Sequence, residues 1–241
     1  MTISGNKNYR NCAVIIPTYN ERDTIVKTLR DVLMQLPGCH IWVIDDNSPD
    51  DTSGSVSSFA SREVTLIQRT SKNGRGSAVL HGIREVYKQS SYTRIIEMDA
   101  DYSHNPRELS ALVTACRDNT IAVGSRYIAG SRIEGWPLLR KILSACANIL
   151  IQLVLHLPLH DATNGFRCYS RAAVATLLSR RMISSGFVML SESAYMLYNK
   201  GYRFIEIPSR FVNRKMGSSN ATPREFFDAL VTLLQIRRTY V

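Results

Sequence analysis

The chain has 241 residues, 44% hydrophobic and 21% charged, with 13 Gly, 8 Pro and five scattered cysteines, Cys12, Cys39, Cys116, Cys146 and Cys168. This excludes intrinsic disorder, collagen-like repeats and a disulfide-stapled small scaffold, and the odd, unclustered thiols read as reduced cysteines of a cytosolic protein without a zinc knuckle. The net charge is +10, yet residues 1–120 carry 14 Lys/Arg against 14 Asp/Glu and residues 121–241 carry 16 against 6. The whole excess lies in the second half and implies an anionic partner there: nucleic acid, an anionic membrane or a phosphorylated substrate.

Residues 1–10 are polar and lack a signal-peptide core. Short β-branched runs at 13–16, 41–44, 64–67, 95–98 and 121–123 are predicted strands. Between the first two, Ile25, Val26, Leu29, Val32, Leu33 and Leu36 recur at helical spacing, and 81–87 and 106–117 are also predicted helical, the latter opened by Asn105-Pro106. The Ser-rich stretch 53–61 reads as a loop and a poor helix, and Asn73-Gly74-Arg75-Gly76 as a tight turn opening a helix, since Val79 stands where a dinucleotide fingerprint needs its third small residue. Strand–helix alternation of this kind predicts an α/β fold, a Rossmann-like, mostly parallel sheet with helices on both faces, whose ligands bind beyond the carboxyl ends of the strands.

Two later segments are apolar. Residues 142–157 contain no Lys, Arg, Asp or Glu and follow Arg140-Lys141. Ser144, Asn148, Gln152 and His156 recur at a spacing of four, one polar stripe on an apolar cylinder. At 1.5 Å per residue the segment spans about 24 Å, short of a bilayer core. It is either an interfacial helix with basic flanks or a buried core helix. Thr222-Pro223-Arg224-Glu225 is a capping box opening a last helix rich in Phe, Leu and Val and ending at Arg237-Arg238.

The chemistry gathers at predicted strand exits. Asp99-Ala100-Asp101 places two carboxylates at i, i+2 at the end of a buried strand, costly unless a cation holds them. Hard oxygen donors of this kind suit Mg²⁺ or Mn²⁺ bridging phosphates. The first strand runs into Pro17-Thr18-Tyr19-Asn20-Glu21 and the second into Asp45-Asp46-Asn47-Ser48-Pro49-Asp50. Tyr19 offers a flat face, Glu21 and Asp46 offer acceptors, and together the exits predict a nucleotide pocket.

These motifs, followed in order by Met98-Asp99-Ala100-Asp101-Tyr102-Ser103-His104, Val123-Gly124-Ser125-Arg126-Tyr127 and Asn164-Gly165-Phe166-Arg167, closely resemble the family-2 glycosyltransferases of the dolichyl/polyprenyl-phosphate mannose synthase type over about residues 11–220. The resemblance implies a single GT-A domain over 1–241, with a nucleotide-sugar half (11–125), an acceptor and membrane-facing half (126–241) and amphipathic interface helices. It implies inverting, metal-dependent transfer of mannose from GDP-mannose to a polyprenyl or dolichyl phosphate by a cytoplasmic protein peripheral to the cytosolic membrane face, with a small membrane-anchoring subunit as a further partner.

By the same resemblance, Pro17, Tyr19, Glu21, Ile44 and Asp46 line the guanosine pocket, and Ala100 contacts the nucleotide. Asp99, Asp101 and Ser103 hold the metal; Arg126, Arg140 and Ser144 receive the acceptor phosphate; and Arg214 clamps donor and acceptor phosphates. Catalysis rests on Asp101, Arg126, Arg140 and Arg214. Ser103 stands where many such relatives carry Gln, and Asn220 where they usually carry Lys. Two other readings stay open: a UDP-glucose-dependent transferase on the same fold, and a nucleic-acid-binding module driven by charge. The second lacks basic residues interleaved with aromatics.

Overall fold

The computed structural model describes residues 8–184, 188–213 and 223–240. Its centre is a seven-stranded sheet in the order β3-β2-β1-β4-β7-β5-β8. The strands are β1 (Cys12–Thr18), β2 (His40–Asp45), β3 (Val64–Gln68), β4 (Arg94–Glu97), β5 (Thr120–Ser125), β7 (Arg167–Ser170) and β8 (Arg203–Pro208). All pairs are parallel except those of β7, which runs antiparallel between β4 and β5. A separate two-stranded ribbon joins β6 (Arg132–Glu134) to β9 (Arg210–Val212). The order reverses at β1 and β4, and this is where an open α/β sheet forms its ligand crevice.

Both faces are covered, so the strands read as continuous apolar runs rather than alternating ones. Ala13 and Ile15 of β1 point to one core, with residues of α3 (Arg75–Tyr87), α6 (Arg171–Leu178) and α7 (Val188–Asn199). Val14 and Ile16 point to the other, with α1 (Arg22–Gln35) and α4 (Leu109–Ala115). Gly82 of α3 lets that helix lie close against the sheet, because a Cβ there would meet Ile15 at 2.7 Å and Ile44 at 2.9 Å. The Ser-rich stretch forms α2 (Thr52–Ser58), and Asn105 caps a 3₁₀ turn at Pro106–Glu108 before α4.

The apolar segment departs from its predicted bounds. It is one helix, α5 (Leu138–Leu155), so Arg140 and Lys141 lie inside its first turns rather than ahead of it. At 18 residues it is long and apolar enough to cross a membrane, which corrects the expectation from sequence, and only 17% of it is buried. Its buried side carries Ile151 and Leu155 together with one polar residue, and its outer side is apolar. Asn148, in the polar stripe, is buried, whereas Leu138 (73%), Leu139 (67%) and Leu153 (67%) are exposed. The last helix, α8 (Pro223–Thr239), packs on α5 and α7, buries Leu233 and Ile236, and exposes Val231 and Leu234. The Thr222 cap lies outside the described residues.

Candidate active site

Loops leaving β1, β2 and β4 are tied to one another by side-chain and backbone bonds. Asp46 N donates to the Thr18 carbonyl, Glu21 N to Thr52 Oγ1 and Thr28 Oγ1 to the Ala100 carbonyl. Asp45 is fully buried and accepts from Thr18, Ser48 and Ser53, so it shapes the turn rather than facing a ligand. Asp46 accepts from Arg69 Nη1 at 2.6 Å and from the amides of Asn73 and Gly74, bracing the turn before α3. That turn needs Gly74, whose φ of 85° is a left-handed conformation. Pro17 is buried and the Ile44 side chain lies in the core, so Ile44 reaches a ligand only through its backbone. Tyr19 is half-exposed beyond them, with Lys72 Nζ 3.5 Å from its ring centroid.

Asp99, Ala100 and Asp101 follow β4 at the switch point. Asp101 Oδ1 accepts from Ser103 N, which fixes the turn. Asp99 Oδ1 accepts from Arg75 Nε at 2.7 Å, and Arg75 Nη1 donates to Glu97 at 2.7 Å. Burial opposes the Arg75 charge, and the Asp99 and Glu97 carboxylates more than offset it, so its pKa lies above the ordinary arginine value. The Ser103 hydroxyl is buried without a hydrogen-bond partner. Two carboxylates and an orphaned hydroxyl are a hard, oxygen-only donor set, which fits Mg²⁺ or Mn²⁺. Among the described residues no group of three or more His, Cys, Asp or Glu could hold a metal. A cation at Asp99 and Asp101 therefore needs further oxygens from a ligand such as a diphosphate.

His104 links this end to the second half. Asp99 N donates to its Nδ1 and Nε2 meets Asn164 Oδ1 at 2.8 Å, so the ring is the neutral tautomer with Nε2–H. Asn164 in turn donates to the Gly124 carbonyl. The His104 ring stacks on Phe166 and meets Phe211 edge-on, and Phe211 meets Trp136 edge-on. Arg126, just after β5, sits among Tyr127, Trp136 and Phe211, its guanidinium carbon 5.3–5.5 Å from each ring centroid.

Arg126 is not a loose cation. Nε and Nη2 donate to the two oxygens of Asp161 at 2.7 Å, and Nη2 also reaches Thr163 at 2.7 Å. Burial disfavours its charge, and Asp161, then Tyr127 and Asp99, restore it, so its pKa also lies above the ordinary value. Arg140 stacks on Trp136 at 4.2 Å and donates to Asn213 at 2.9 Å. The polar stripe of α5 builds this pocket from behind: Asn148 accepts from Ala162 N and donates to Thr163 and to the Ser144 carbonyl. Ser144 is half-buried on the same helix. Tyr127 is half-buried beside Arg126, and the buried Trp136 has an indole N–H without a hydrogen-bond partner. Arg214 lies outside the described residues.

The structure thus joins Asp99 to Arg126 through residues that spacing alone did not single out: Arg75, His104, Asp161 and Trp136. Asp161 had one signal, as one of only six acidic residues in the basic half.

Residues 13–178 match the family Glycosyl transferase family 2. The chain is 35% identical to a polyprenol monophosphomannose synthase of Mycolicibacterium smegmatis over 90% of this chain and 83% of that protein. It is 32% identical to an undecaprenyl-phosphate mannosyltransferase of Micrococcus luteus (91% and 90%) and to a dolichol-phosphate mannosyltransferase of Pyrococcus furiosus (90% and 61%). Among solved structures, a glucosyl-3-phosphoglycerate synthase of Mycobacterium tuberculosis with Mn²⁺ and UDP superposes with a TM-score of 0.65 at 16% identity, covering 95% of this chain and 80% of that one. A mannosyltransferase of Pyrobaculum calidifontis with GDP-Man and Mn²⁺ gives 0.60 at 19%, covering 94% and 69%. These likenesses place the fold among GT-A enzymes, and with the matched motifs and the relatives above, the chain belongs to glycosyltransferase family 2.

Proposed function

We propose that the protein transfers mannose from GDP-mannose to the phosphate of a polyprenyl or dolichyl lipid, with a divalent cation and inversion at the anomeric carbon. One observation carries the reading. The helix whose polar face holds up the Arg126 pocket turns its apolar face, with Leu138, Leu139, Ile142 and Leu153, to the outside. A phosphate on a hydrocarbon tail needs this combination: cations for the head and an apolar surface beside them. The names of the relatives support the lipid acceptor and the mannose. The GDP-Man and Mn²⁺ of the Pyrobaculum enzyme are in keeping with the donor and the metal.

In this reading Pro17, Tyr19, Glu21, Asp46 and the Ile44 backbone line the guanosine pocket, with Ala100 beside the nucleotide. Asp99, Asp101 and Ser103 would hold the Mg²⁺ or Mn²⁺, which when bound offsets the negative charge developing on departing GDP. Arg126 presents a fixed charge to the acceptor phosphate, with Arg140 and Ser144 alongside, and Arg214 is assigned to the diphosphates. An acceptor phosphate oxygen attacks C1 of mannose as the bond from C1 to the β-phosphate oxygen breaks, and GDP leaves with the electron pair. The nucleophile is already anionic at pH 7, so no general base is required; positioning and charge carry the rate. The protein works at the cytosolic face of a membrane, and a small anchoring subunit is a candidate partner.

The test is transfer of labelled sugar into detergent-dispersed polyprenyl phosphate from GDP-mannose or UDP-glucose, each with Mn²⁺, Mg²⁺ or EDTA. Metal-dependent label from GDP-mannose alone is the expected result. Label from UDP-glucose alone overturns the donor, and equal transfer in EDTA overturns the metal.

A further inference from the structure

Arg75 is the first residue of α3, and its guanidinium is held from three sides. Nε binds Asp99 and Nη1 binds Glu97, each at 2.7 Å. Gly165 closes the third side, since a Cβ there would lie 2.1 Å from Nη2. Nη2 also lies 2.7 Å from Asp99 Oδ1, but it is poorly aligned and makes no hydrogen bond. The loop carrying Gly165 is itself fixed. Asn164 is bonded to His104 and Gly124, and the buried Arg167 donates to the carbonyls of Asn164 and Ala162. Glu97 is almost fully buried and keeps Arg75 anchored in the wall of the site.

A cation already seated on Asp99 bears on any second cation placed there. Both need the same carboxylate, and like charges at such range repel strongly away from bulk water. We infer that Arg75 is a built-in counter-cation that holds Asp99 in the metal-free protein and weakens its affinity for a divalent ion. Metal binding then depends on an incoming nucleoside diphosphate, whose negative charge offsets the repulsion. The inference rests on the assignment of Asp99 and Asp101 as metal ligands. It makes Arg75 a positioning residue that sets the order in which metal and nucleotide arrive.

The test titrates the full chain with MnCl₂ and reads free Mn²⁺ by electron paramagnetic resonance, with and without GDP. Wild type is expected to bind Mn²⁺ about tenfold tighter with GDP than without it. Arg75→Gln should tighten GDP-free binding about fivefold or more and shrink that ratio, whereas Arg75→Lys, which keeps the charge, should stay close to wild type. Arg75→Gln leaves Glu97 buried without its partner, so Gly165→Ala serves as the second variant. It keeps every charge, pushes the fork off Asp99, and should shift GDP-free affinity the same way. Unchanged or weaker Mn²⁺ binding in a folded Arg75→Gln or Gly165→Ala protein overturns the inference, as does wild-type binding indifferent to GDP. No Mn²⁺ binding by wild type even with GDP overturns the metal assignment and the inference with it.

Discussion

At the scale of single residues, the site is a chain of paired charges. Asp46 is held by Arg69 and two amides, Asp99 by Arg75, and Arg126 by Asp161. Asp101 and Asp161 are both acidic, yet they answer to different assays. Asp101→Ala should lower turnover about a hundredfold or more, because in the proposed mechanism the charge of departing GDP loses its counter-ion, and should leave stability nearly unchanged. Asp161→Ala strips a buried arginine of its carboxylate and should cost about 3–5 kcal/mol, read from denaturant midpoints. Equal stability losses in the two variants would contradict this division. The motif residues from Pro17 to Asp101 were readable from sequence because short chain segments carry them. Arg75 and Asp161 were not, because which charge neutralises which is decided across the sheet.

Among the elements, α5 has the clearest division of labour. Asn148 of its polar stripe faces the protein and supports Thr163 and Ala162, Ile151 and Leu155 are buried beside it, and Leu138, Leu139, Ile142 and Leu153 face out. The sequence gives the stripe its spacing but leaves open which side meets the fold, since an isolated helix shows only that two faces differ. Replacing Ile142 and Leu153 by Glu should leave the fold intact and sharply reduce flotation with lipid vesicles. Mn²⁺ binding in the presence of GDP should be retained. Unchanged flotation would remove α5 from the membrane contact. The first five strands were readable as β-branched runs. β7 was not, because Arg-Cys-Tyr-Ser shows neither an apolar run nor alternation, and its place comes from pairing with distant β4 and β5.

For the whole molecule, the lopsided charge and the buried thiols set the response to solution conditions. Burial pushes the Cys12 and Cys39 thiols up to about 12. A folded-state pKa above the unfolded value means the native state binds the proton more tightly. This contribution is complete below about pH 9 and is lost as pH rises towards 12. Burial shifts the Tyr169 and Tyr240 hydroxyls upward as well, with the same sign at higher pH. Thermal midpoints should therefore fall above pH 9, and less steeply in a Cys12→Ala/Cys39→Ala protein; identical slopes would exclude the thiols.

The antiparallel strand β7 has a further consequence, for how the molecule comes into being. It enters the sheet between β4 and β5 after α5 has been traversed, and it closes both neighbours at once. Until it arrives, β4 and β5 each present a bare edge, and the loop that roofs Arg75 does not exist. Such late, long-range closure makes folding slow relative to local helix formation. A nascent chain released before Ser170 therefore has β1 to β5 but no assembled centre, so an incomplete copy cannot form the site in which the proposed sugar donor and lipid would meet.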